Sequence, residues 1–106
     1  MTILLDECVP VQVRKALEGH EVSTAPKMGW GGVTNGELLS LAEAADFNLF
    51  IVADKNLRYQ QNLSHRRIAI LELWTNHRPT LERCFGLIRE AAERAQPGDY
   101  QVLQGP

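Results

Sequence analysis

"FNLFIVADKNLRYQQNL", residues 47–63, is the stretch whose reading decides the fold. Its run Leu-Phe-Ile-Val-Ala, 49–53, is apolar without alternation, the pattern of a strand covered on both faces. The run stops at the Asp54 carboxylate, and a lysine, an asparagine and an amide-rich segment follow. Strands buried on both faces belong to parallel sheets with helices packed on each side. The remainder of the chain should therefore alternate short apolar runs with segments of helical period.

It does so in both directions. Upstream, Ile3-Leu4-Leu5 is a second apolar run, closed by Asp6. Pro10 suits the first turn of a following helix, where its missing N–H costs nothing. Val9, Val13, Ala16 and Leu17 fall on one face of that helix, and Gly19 is its stop. Residues 20–24 read as a weaker strand. After the loop "PKMGWGGVTNG", Thr34 begins a helix with Leu38, Leu41, Ala42 and Ala45 in one stripe. Downstream of Asp54, a short helix is expected over 56–62 and a fourth strand over 68–73. Thr80 is placed as the cap of the most amphipathic helix, whose buried stripe is Leu81, Cys84, Phe85, Ile88, Ala91, Ala92 and Ala95. "QPGD" breaks it, and 100–103 can add an edge strand.

Five strands and four helices in this order predict an α/β fold. Right-handed crossovers arrange them as a three-layer α/β/α sandwich around a mainly parallel sheet. A chain of 106 residues is one domain, 1–106, and can bury roughly 65% of its unfolded surface. No apolar run is long enough to span a bilayer, and no charged-then-apolar leader opens the chain. A cytoplasmic protein with no membrane partner is expected. Cys8 and Cys84 are far apart, and His20, His65 and His77 are scattered, which argues against a disulfide framework or a structural zinc site. The net charge of −2 argues against coating nucleic acid by bulk electrostatics. It leaves room for the local cluster of Lys55, Arg58, His65, Arg66 and Arg67, which is either a solvated surface or a phosphate-holding patch.

In sheets of this kind ligands bind beyond the carboxyl ends of the strands. Asp6 and Asp54 each follow a buried strand, so parallel strands bring both to one rim. Glu37, in the first turn of a helix starting at that rim, can join them. At an effective dielectric near 20, two carboxylates roughly 5 Å apart repel by about 3 kcal/mol. A hard divalent cation, Mg²⁺ or Mn²⁺, removes that cost and can activate water against a phosphodiester. Each acid also has a capping role open to it. Thr34-Asn35-Gly36-Glu37 fits a capping box, and Asp54 can cap the helix after it. Glu7 should point away from Asp6 in a continuing strand and reads as a helix-start residue. Cys8 reads as a small buried hydrophobe. Trp30 either plugs the sheet edge or stacks on a base.

"ILLDECVP", "NGELLSLA" and "IVADKNLRYQQNL", in this order and separation, resemble the PIN-like nuclease domains, in particular a short branch that opens on an LLDE-type strand. The resemblance covers nearly the whole chain. It implies a Mg²⁺- or Mn²⁺-dependent ribonuclease acting on single-stranded RNA, commonly the toxin of a toxin–antitoxin pair, with an antitoxin protein and a homodimer as partners. Asp6 matches the first-strand acid, Glu37 the helix acid and Asp54 the third-strand acid. Asn56 stands where many relatives carry a fourth acid. Lys55, Arg58, Arg66 and Arg67 would hold flanking phosphates, and Gln60, Gln61 and Asn62 could donate to phosphate or base edges. The competing reading is a PIN-like module that binds RNA or a partner protein without cutting. A dinucleotide site at Gly29-x-Gly31-x-x-Thr34 is weaker, because the third glycine is missing and Asp6 is left without a role.

Overall fold

The apolar runs become β1 (Thr2–Leu5), β2 (Glu21–Thr24), β3 (Leu49–Val52), β4 (Ala69–Glu72) and β5 (Tyr100–Val102). They form one sheet in the order β2-β1-β3-β4-β5 with every pairing parallel. This computed structural model describes residues 1–53 and 66–105. The helix expected over 56–62 lies outside them. Register follows the period-2 rule: Leu5, Ile51 and Leu71 share one row, and Leu4, Phe50 and Ile70 the next. The two rows face opposite ways, so the inner strands β1, β3 and β4 each feed two cores, while β2 and β5 are partly exposed edges.

One core joins Ile3, Leu5, Ile51 and Leu71 to a 3₁₀ helix (Val11–Leu17) and to α3 (Phe85–Arg94). The other joins Leu4, Phe50, Val52 and Ile70 to α1 (Asn35–Ala44) through Leu38, Leu39 and Ala42. Helical segments on both faces make the α/β three-layer architecture. Among the described residues no helix is long and apolar enough to cross a membrane.

Apart from α1, which buries Leu39 and leaves Ala45 exposed, the local elements follow the sequence with two adjustments. The segment after Pro10 winds as 3₁₀ rather than α. Arg89 of α3 donates to its end carbonyls, at 3.3 Å to Ala16 O and 2.8 Å to Glu18 O, meeting acceptors that a helix terminus leaves open. Gly19 follows with φ +94°, the left-handed stop for which glycine is suited. The second adjustment concerns Thr80, which is not a cap. It lies inside α2 (Arg78–Glu82), whose N-cap position is His77. Pro79 is favoured in a first turn, and it draws the start upstream. The helix then breaks at Arg83–Cys84 before α3 resumes at Phe85. Leu81, Ile88, Ala91 and Ala92 are buried as their spacing predicts, with Phe85 and Ala95 packed beside them.

Candidate functional site

The strand order creates a crevice. The connection from β1 to β2 runs over one face through the 3₁₀ helix, and that from β2 to β3 over the other through α1. The crossovers therefore diverge between β1 and β3, at whose carboxyl ends an open parallel sheet presents its ligand site. A cleft of about 360 Å³ lies there. The turn after β1 contributes Asp6, Glu7 and Cys8, and the loop after β2 contributes Ala25, Trp30 and Val33. Leu38 of α1 and Ala53 after β3 complete the wall.

Asp6 remains tied to the sheet, its N–H donating to Ile51 O at 3.0 Å. The chain then turns, with Val9 N–H donating to Asp6 O at 3.0 Å. That turn ends the strand alternation on which Glu7 was expected to point away. Glu7 lines the same cleft as Asp6, and its Oε2 lies 3.8 Å from the position a Cβ on Gly31 would occupy. The Cys8 thiol donates to Asp6 Oδ2 at 2.8 Å while its body packs against both cores. It is half-buried rather than fully buried, with a polar tether to the acid. Neither cysteine is in a disulfide.

The other expected site residues are placed less together. Glu37 is exposed in the first turn of α1, one residue before the cleft-lining Leu38. Its N–H donates to Thr34 Oγ1 at 3.4 Å, the Thr34 half of the capping box. Asp54, Lys55, Asn56 and Arg58, with Gln60, Gln61 and Asn62, lie outside the described residues. Ala53, immediately before Asp54, does line the cleft.

Arg66 and Arg67 require a correction. They precede β4, and the residue before a parallel strand stands at the amino rim, opposite Asp6. Arg66 lies along α1, donating to Ser40 Oγ at 3.0 Å, Glu43 Oε1 at 3.1 Å and Gly36 O at 3.3 Å. Arg67 N–H donates to Glu43 Oε2 at 2.8 Å, and the Arg67 side chain is 85% exposed beside it. Burial pushes the Glu43 carboxyl up. The Arg67 N–H, the Arg66 guanidinium and the Ile68 N–H outweigh it and hold the group below the usual carboxylate range. These cations pin α1 to β4 rather than flank the acidic rim.

Glu72 was missed. It ends β4, is 3% exposed and accepts from the Tyr100 phenol at 2.6 Å. Buried carboxylates are rare without a partner, so the lone acid in "IAILELW" was the signal. Trp30 is half-buried, packs on the α1-side core and meets Phe47 edge-to-face at 6.1 Å. It plugs the sheet edge and also walls the cleft. The glycine loop is poorly placed for a pyrophosphate, because Gly31 faces the Glu7 carboxylate.

Among the described residues no three His, Cys, Asp or Glu side chains come together as a metal-holding group. The donors that do share the cleft, Asp6 and Glu7, offer carboxylate oxygens, the chemistry that suits Mg²⁺ or Mn²⁺. Comparison with family models, with curated proteins and with solved structures finds no match for this chain.

Proposed function

We propose that the protein is a PIN-like, Mg²⁺- or Mn²⁺-dependent ribonuclease that hydrolyses single-stranded RNA at the β1/β3 crevice. The observation that carries this reading is the position of Asp6. It sits at the carboxyl end of a central parallel strand, in a cleft it shares with a second carboxylate, Glu7. Asp6 would hold the cation, with Glu37 and Asp54 added from the sequence pattern. When bound, such a cation supplies charge neutralisation at the phosphodiester and a lowered pKa for water. The Cys8 thiol donates to Oδ2 of Asp6 and so fixes the rotamer of that carboxylate beside the cleft. Trp30, Val33 and Leu38 keep that side of the cleft dry and orient what enters. Lys55 and Arg58, next to Asp54 in sequence, are the remaining candidates for flanking phosphates. An antitoxin protein and a second copy of the chain are the partners this reading carries.

A second reading, RNA or protein binding without cleavage, is favoured by one observation: Asn56 stands where a fourth acid is expected. The two separate experimentally. Mn²⁺ titrated against the protein should raise its Tm, since a ligand binding only the native state stabilises it, and Asp6→Asn should abolish that rise. A labelled single-stranded RNA should be cut in Mn²⁺ and spared in EDTA. Glu37→Gln retains the helix cap and should slow the cut at least tenfold if Glu37 serves the metal. A Tm unmoved by Mn²⁺ refutes the metal site. A Tm raised by Mn²⁺ with no cleavage of any RNA favours the binding module.

A further inference from the structure

The cleft has two unlike walls. One is apolar, formed by Trp30, Val33 and Leu38. The other is the Asp6–Cys8 turn, where the acids differ in what they have left to bind. Asp6 already accepts from the Cys8 thiol and is tied to β3 by its own N–H. Glu7 is exposed and forms no hydrogen bond or ion pair among the described residues. Its Oε2 lies 3.8 Å from the position a Cβ on Gly31 would occupy, beside the cleft wall.

The dimensions restrict the occupant. At about 360 Å³ the cleft is at the small end of ligand pockets. It holds one unstacked nucleotide and cannot admit a duplex, whose base edges stay within its grooves. Single-stranded RNA is read by stacking a base on apolar or aromatic side chains and hydrogen-bonding its Watson–Crick edge. The apolar wall offers the first contact, and Glu7 offers the second.

We infer that Glu7 is a base-reading residue that makes the cleft prefer guanine. This rests on the RNA reading of the cleft and adds to it the identity of the base. A carboxylate has two acceptor oxygens and no donor. Guanine alone among the four bases presents two adjacent N–H donors, N1–H and N2–H, on its Watson–Crick edge, which pair with both oxygens at once. Adenine and cytosine each offer one amino group beside a ring acceptor. Uracil offers one N–H between two carbonyl oxygens, both repelled by the carboxylate. Paired charge-assisted bonds are the strong, geometrically selective kind.

The test uses the full chain labelled with ¹⁵N, in EDTA, titrated with guanosine and separately with uridine. Neutral nucleosides carry no phosphate and cannot be cleaved. Guanosine should shift the amides of Gly31, Gly32 and Val33 and the Trp30 indole N–H, binding about tenfold more tightly than uridine, a bidentate pair against a mismatched edge. Glu7→Gln replaces one acceptor by a donor and should bring the two nucleosides within twofold. Equal affinities in the native protein, guanosine shifts mapping away from the cleft, or a preference that survives Glu7→Gln would each overturn the assignment. Asp6→Asn should leave the preference intact while removing the response to Mn²⁺. Loss of base preference and loss of the metal site are thus read separately.

Discussion

Glu43 joins three parts of the chain, and its removal has a calculable cost. Its carboxylate accepts from Arg66 Nη1 at 3.1 Å and from the Arg67 backbone N–H at 2.8 Å. The Glu43 and Arg66 side chains are 15% and 21% exposed, so neither contact is fully screened. A hydrogen bond to a charged group contributes roughly 1.5–3 kcal/mol net. The Arg66 pair, partly wet, should be discounted to about 1 kcal/mol, leaving about 1.5 kcal/mol for the backbone bond. Glu43→Ala should therefore destabilise by about 2.5 kcal/mol, which near this chain length lowers Tm by about 10 °C. Glu43→Gln, keeping one acceptor, should lose about half of that. Urea denaturation measures both, and a double-mutant cycle with Arg66→Met should return a coupling near 1 kcal/mol. A loss below about 0.5 kcal/mol for Glu43→Ala, the range of ordinary surface changes, would show that the clamp does not stabilise the fold.

The same carboxyl makes a pH prediction. Its folded pKa lies below the unfolded value, so its contribution is complete above the unfolded value and is lost as pH falls through the folded one. Denaturation midpoints should drop on acidification below about pH 4.5, and Glu43→Gln should flatten that drop. Tyr100→Phe leaves the buried Glu72 without its phenol donor and should cost about 1–3 kcal/mol; a neutral effect in calorimetry would remove the pair from the stability of the β4–β5 edge. Gly19→Ala forces a side chain into φ +94° and should cost about 1–2 kcal/mol, although the nearest atom to the new Cβ is 3.9 Å away. Gly105→Ala meets Trp74 Nε1 at 2.5 Å, so the tail must lift from the indole. Trp74 fluorescence should shift to the red with little change in Tm.

Much of the fold was legible because its three inner strands are buried on both faces. Five runs ended where polar residues or turn formers begin, and all five became strands within a residue or two. Thr34 announced α1 by its capping chemistry and delivered it. What escaped was information that is not local. The rim occupied by Arg66 and Arg67 depends on strand direction: both precede β4, which puts them opposite Asp6 even though they follow Asp54 closely in sequence. Glu7 was misjudged because alternation was carried one residue past the strand, into the turn closed by Val9 N–H on Asp6 O. Glu72 is held by a phenol 28 residues away, a partner no period can reveal. Thr80 lost its role to Pro79, where two start signals competed within one turn.

The placement of β1 inside the sheet, between β2 and β3, has a consequence for how the protein is made. β1 needs β3 on its inner side, and Ile3 and Leu49, which start that pairing, are separated by most of the first half of the chain. A nascent polypeptide emerging from the ribosome carries Asp6 and Glu7 early. It has only β2 to zip against until residue 52 has cleared the exit tunnel. A product released before that point would bear both acids and no floor beneath them. Any chemistry at this rim therefore begins only after the central strand has been translated, a delay written into the wiring of the sheet.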